Sequence, residues 1–155
     1  MAEPVSVIAS AVTVTGAAIT VADSILSFIS QMRYAPEEIA FLQNDVIDIR
    51  LVLSNIKANT AEDQSLDRRL ALPDSAGAYG HPENISKLDY SLKRIERVLL
   101  ETDSALRQVT KSRGLGRTTV HRGQWIIHRT KLGLLRQELQ ELKTSMAVYL
   151  SANSR

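Results

Sequence analysis

The side chains able to do chemistry are few, and their spacing does not suit catalysis. His121 and His128 lie seven positions apart, about 10 Å along a helix, too far to share one metal ion. Gly114-Leu115-Gly116 lacks the lysine and hydroxyl residue of a phosphate-cradling loop and has no strand pattern before it, so it reads as a flexible turn. Asp45/Asp48 and Glu138/Glu141 are carboxylates three apart, a spacing that solvated helix surfaces also show. Neither His-Glu-x-x-His nor Gly-x-Ser-x-Gly occurs. The absence of cysteine removes thiolate chemistry and any disulfide framework, which fits an intracellular protein. No catalytic group, cofactor or metal site is expected, and the chain is read as a non-enzyme.

Positive charge is what the sequence does concentrate. The formal net charge of +2 hides an asymmetry. Residues 1–106 hold nine Lys/Arg and fifteen Asp/Glu, whereas residues 107–155 hold ten and two. From Arg107 to Arg136 there are eight basic residues and no acid. One reading is a solvated loop, or a run compensated by acids on neighbouring helices. The sharper one is contact with anionic lipid through Lys111, Arg113, Arg117, Arg122, Arg129 and Lys131. Each such charge near an anionic leaflet gains about 1 kcal/mol. Nucleic acid would also be attracted, but the run has one Trp and no recognition motif, so nucleic acid is not the expected partner.

The second conspicuous stretch is the amino end. Pro4 to Ala22 is nineteen residues without a charge. On a seven-residue repeat, four neighbouring columns are mainly apolar: Val5/Val12/Ile19/Leu26, Val7/Val14/Val21/Phe28, Ile8/Thr15/Ala22/Ile29 and Ala11/Ala18/Ile25/Met32. The opposite arc is small and hydroxyl-bearing, with Asp23 as its only charge. Water and lipid would both tolerate such a back. Three readings compete: the covered helix of a bundle, a helix stored in a bundle and released into a membrane, and a secretory signal peptide. The last lacks its positive start, since Glu3 stands there without Lys or Arg. Nineteen residues span about 28 Å, barely a bilayer core of about 30 Å. Six of them are Ser, Thr or Gly, so permanent insertion is marginal.

The elements that position these stretches follow from the same periodicity. Helix one is expected over about Pro4–Met32, ended by Tyr34-Ala35-Pro36. Pro36-Glu37-Glu38 opens helix two, with the seam Ile39, Leu42, Val46, Ile49, Leu53, Ile56. Asn59–His81 reads as a long connection with one short helix, Asp63–Leu72. Helix three runs from about Pro82 to Lys111 on Ile85, Leu88, Leu92, Ile95, Leu99, Thr102, Leu106, Val109. Helix four runs from about Thr118 to Leu150 on Trp125, His128, Leu132, Leu135, Leu139, Leu142, Met146, Tyr149. The expected fold is all-α: an up-and-down bundle of four long helices in a single domain over 1–155. Thr15, Thr102 and His128 place a polar group in three of the four seams. A buried His128, protonated below about pH 6, would loosen such a core.

The order of motifs resembles a known family. Met1-Ala2-Glu3-Pro4-Val5-Ser6-Val7-Ile8-Ala9-Ser10, then Phe28-Ile29, Ala35-Pro36-Glu37-Glu38-Ile39 and Leu51-Val52-Leu53 are similar to the HeLo-like domains at the amino end of fungal NOD-like (STAND) receptors. Trp125 and Leu132–Leu150 look like that family's last helix. The likeness covers nearly the whole chain; residues 59–81 and 112–122 are not diagnostic. It implies a domain of regulated cell death, related to HeLo domains and to the bundle of mixed-lineage-kinase-domain-like proteins. Such a domain is cytoplasmic at rest and acts at the plasma membrane after homo-oligomerisation. Helix 1–32 would be the inserting segment, meeting lipid through Val5, Val7, Ile8, Val12, Val14, Ile19 and Val21, with Glu3 in a polar ring. Anionic lipids would be partners, as would an attached nucleotide-binding or repeat region or a signalling protein. The rival expectation is a non-lytic oligomerisation or protein-interaction module.

Overall fold

The computed structural model describes residues 4–69, 82–113 and 117–153, with side chains at 9–62, 86–110 and 118–152. Four helices dominate it: α1 (Pro4–Ser30), α2 (Glu37–Arg69), α3 (Pro82–Val109) and α4 (Arg122–Asn153). Three short strands lie between them: β1 (Met32–Arg33), β2 (Thr110–Arg113) and β3 (Arg117–Val120).

Side-chain pairs fix the helix directions. Asp23 on α1 meets Arg50 on α2, across the short link that reverses the chain. Arg94 on α3 meets Glu138 on α4 at 2.8 Å, again antiparallel. Ser10 and Ser24 on α1 face Asp89 and Arg107 on α3, so these two helices run parallel. Glu38, Asp45 and Asp48 on α2 meet Arg129, Arg136 and Lys143 on α4, also parallel. Directions therefore alternate along the chain, as the seams predict. The cyclic order is α1–α2–α4–α3, which sets α1 diagonally across from α4. Helix one is thus covered by α2 and α3, not by all three other helices.

The seams predicted on α2, α3 and α4 form one core. Ile39, Leu42, Val46, Ile49, Leu53 and Ile56 are all buried, as are Leu88, Leu92, Ile95, Leu99, Leu106 and Val109. Leu132, Leu135, Leu139, Leu142 and Met146 complete it from α4. On α1 the deepest residues are Ala11, Thr15, Ala18, Ala22, Ile25 and Ile29. Three alanines at the contact let the α1 backbone come close to its neighbours, since interaxial distance follows side-chain size. The valine columns flank that contact and are only half-buried. Leu99 is fully buried on α3. Leu99→Ala is expected to destabilise the bundle by roughly 2–5 kcal/mol, read as a lower urea midpoint at unchanged slope.

Several boundaries differ from the periodic reading. Helix α2 runs unbroken to Arg69, so the helical part of the 59–81 connection continues α2 rather than forming a separate short helix. Residues 70–81 lie outside the described set. Helix α3 stops at Val109 and α4 starts at Arg122, because the residues between pair as a hairpin. Strands β2 and β3 are antiparallel, with Thr110 opposite Val120. Strand β1 adds in parallel to β3, with Met32 opposite Thr118 and Arg33 opposite Thr119. The His121 amide donates to the Val109 carbonyl at 2.8 Å and closes the hairpin. Tyr34 then takes a left-handed backbone, φ 57°, and turns the chain towards Pro36, whose carbonyl accepts the Ile39 amide at 2.9 Å.

Candidate membrane-contact site

Helix α1 carries a stretch, Ala9–Ser30, of 22 residues that is long and apolar enough to cross a membrane. A core helix of a soluble bundle and a signal sequence share that length and composition. Burial does not set it apart, since α2 and α4 likewise turn only one side to the core; its outward arc, almost free of charge, does. The outward arc holds Ala9, Thr13, Thr20 and Ser27, all exposed. Thr13 and Thr20 donate their hydroxyls to the Ala9 and Gly16 carbonyls, both at 3.0 Å. Thr15, buried against α2 and α3, does the same to Ala11 at 2.7 Å. These hydroxyl donors are satisfied inside the helix and would carry their partners into any solvent. Asp23 is the one charge on the arc, and Arg50 pairs with it.

Of the residues expected to meet lipid, Val12, Val14, Ile19 and Val21 are half-buried, flanking the alanine contact. Val5, Val7 and Ile8 lie within the α1 backbone, their side chains outside the described set, and Glu3 lies outside it altogether.

The basic run divides into two groups. Arg107 is held by Asp103 at 3.0 Å and by the Phe28 ring, 4.8 Å from its guanidinium carbon. Arg136 pairs with Asp45 at 2.5 Å and lies over Phe41, and Arg129 pairs with Glu38 at 3.4 Å. Acids of α2 and α3 therefore absorb these three arginines. Arg122 and Lys131 are exposed, with no acid partner among the described residues. Lys111, Arg113 and Arg117 are in β2 and β3, their side chains outside the described set. Elsewhere, a hydrogen bond from Arg94 to Glu138 raises the arginine's pKa further above its already high value.

The first residues of the predicted lipid-meeting set and the strand-borne basic residues lie at opposite ends of the bundle. The strands, Arg122 and the carboxyl end of α1 share one end; Pro4–Ile8 are at the other. Helix α1 has 27 residues, which separates them by about 40 Å. At the strand end the structure assembles a group the periodic reading missed. An open cleft of about 460 Å³ is lined by Arg33, Tyr34, Thr119, Val120, Arg122 and Trp125. Tyr34 in its wall is 93% exposed, and Ile126 and Ile127, which follow Trp125 on α4, are 74% and 68% exposed. Arg33 and Tyr34 carried no periodic signal, because only strand register brings them to Thr119.

Among the described residues no group of three or more His, Cys, Asp or Glu is placed to hold a metal ion. His128 is half-buried, so the buried position that a protonation switch would need is not present. Compared with family models, curated proteins and solved structures, the chain matches none.

Proposed function

We propose that this bundle is a membrane-permeabilising effector domain of regulated cell death, in which α1 leaves the bundle and enters the plasma membrane after oligomerisation. The observation that carries the reading is an apolar helix of membrane-spanning length whose outward arc is almost free of charge. The exposed arc of α1 holds self-bonded hydroxyls and one acid that Arg50 neutralises. A helix built only to fill a core ordinarily carries Lys or Glu on its back. The resemblance to HeLo-like domains points the same way.

Ion pairs tie the helices unequally, and release of α1 would have to give up its apolar packing on α2 and α3. Helices α2 and α4 are tied by three ion pairs, and α3 joins α4 through Arg94 and Arg97 on Glu138. Between α1 and the other helices the described residues form one ion pair, Asp23–Arg50. Strand β1 holds the chain after α1 to β3, so Gln31 would be the pivot and the three-helix remainder would stay tied. The unpaired basic groups at the strand end would face anionic headgroups, with the amino end of α1 about 40 Å away until release. Insertion would then require α1 to swing about Gln31.

Dye release from liposomes tests the reading. The intact chain is expected to empty vesicles containing anionic lipid and to spare neutral ones. Removal of residues 1–22 is expected to abolish release while vesicle binding persists. A folded, artificially clustered protein that binds no vesicles and releases no dye would instead be a non-lytic interaction module.

A further inference from the structure

We infer that the cleft between β1, β3 and the start of α4 is a binding site for a phosphate monoester, gripped by Arg33 and Arg122 beside Trp125. The two arginines come from different elements, β1 and α4, and line the same cleft. Neither has an acid partner among the described residues, in contrast to Arg107, Arg129 and Arg136. Guanidinium groups match phosphate oxygens in a bidentate fork. Two of them balance a group that carries nearly two negative charges at neutral pH.

Local helix chemistry supports the assignment. Arg122 is the first residue of α4, and the first turn of α4 contains no acid. A positive charge at the positive end of a helix dipole is unfavourable. Helix α2 follows the ordinary rule, with Glu37 and Glu38 in its first turn. An anion seated in the cleft would relieve the unfavourable charge on α4. Strand register puts Thr119 directly between Arg33 and Lys111 across the sheet, and Thr119 adds a hydroxyl to the cleft wall. Tyr34 and Trp125 supply flat apolar walls for whatever the phosphate is attached to. That group is either a lipid, as in phosphatidic acid, or a small soluble alcohol. The inference concerns the folded bundle and does not require α1 to leave it.

Trp125 is the single tryptophan of the chain, so its fluorescence reports this cleft directly. The intact protein would be titrated with glycerol 3-phosphate, with phosphatidylcholine vesicles containing phosphatidic acid, and with vesicles containing phosphatidylserine at matched negative charge. A saturable Trp125 change is expected with glycerol 3-phosphate or with phosphatidic acid. Phosphatidylserine should need about tenfold more lipid, because its phosphate is a diester with a single charge. Arg33→Gln and Arg122→Gln should each weaken binding about tenfold; Arg97→Gln, remote and exposed on α3, should leave it unchanged. Saturation by glycerol 3-phosphate alone assigns a soluble ligand, and a gain only on phosphatidic acid vesicles assigns a headgroup. Equal responses to both vesicle types, responses indifferent to Arg33→Gln and Arg122→Gln, or no saturable response to either phosphate probe would overturn the site. Loss of dye release with Trp125 binding intact would count against the permeabilisation reading and leave this site standing.

Discussion

Lysine at both Thr13 and Thr20 is expected to leave the folded bundle intact and to abolish dye release. Both positions are on the exposed arc of α1, and their hydroxyls bond only to carbonyls of α1 itself. Exposed substitutions of this kind usually change stability by no more than about 0.5 kcal/mol. The membrane makes the opposite judgement. A lysine near the centre of an inserted helix costs roughly 2.5–3.5 kcal/mol. Two of them, seven residues apart, should lower the inserted population by at least about 100-fold, since each 1.4 kcal/mol is tenfold. Snorkelling recovers part of that cost but not all of it. Lysine at Ser104, exposed on α3, is the matched control and should change nothing. The comparison is between leakage rate and urea midpoint for each variant. A double-lysine protein that still empties vesicles at the parent rate would mean that α1 does not cross the bilayer.

The sequence made the bundle legible because three of its four helices carry unbroken three-and-four seams. Every described seam residue from Ile39 to Ile56 and from Leu88 to Val109 is buried. The α1 face was harder to read. Four apolar columns were legible, but not their depth: Thr15, Ala18, Ala22 and Ile25 lie deepest, while Val12, Val14, Ile19 and Val21 are half-buried. Close packing selects small residues at the tightest contact, and a hydropathy pattern does not record distance.

The small sheet was missed for a related reason. Strand β1 has two residues, too few for any alternation to appear. The hairpin had a signal in Thr118-Thr119-Val120 and Thr110 on either side of Gly114-Leu115-Gly116. β-branched residues flanking a glycine turn are what a hairpin asks for. Basic residues in the same stretch drew attention to charge instead. The consequence for function is spatial. In the linear sequence, residues 107–136 look like a single polybasic patch. In the fold three of the arginines are spent on Asp103, Glu38 and Asp45, while Arg33, from far earlier in the chain, joins Arg122.

Tying α1 to α3 should silence the protein reversibly. Ser10 on α1 and Asp89 on α3 approach to 3.4 Å between side-chain oxygens. The chain has no cysteine, so Ser10→Cys with Asp89→Cys has one possible bridge within a single chain, and bridges between chains would show as dimers on the non-reducing gel. The bridge replaces one long hydrogen bond and removes the Asp89–Lys93 pair on the surface of α3, each worth little. It closes a loop between positions 79 apart and should stabilise the folded state by about 2–4 kcal/mol. Oxidised protein is expected to keep its helical spectrum, to bind anionic vesicles through the strand end and to release at least about 100-fold less dye, because α1 cannot leave. Reductant should restore leakage to the rate of the parent chain. Closure is checked by mobility on a non-reducing gel, so an incomplete bridge shows as proportionate residual leakage. Fully bridged protein that still permeabilises vesicles would place the membrane activity elsewhere in the bundle, with the exposed Tyr34, Ile126 and Ile127 end as the surface to examine next. The Thr13 and Thr20 lysines block the inserted state, whereas the bridge blocks the departure. Agreement between the two would assign leakage to the passage of α1 from one to the other.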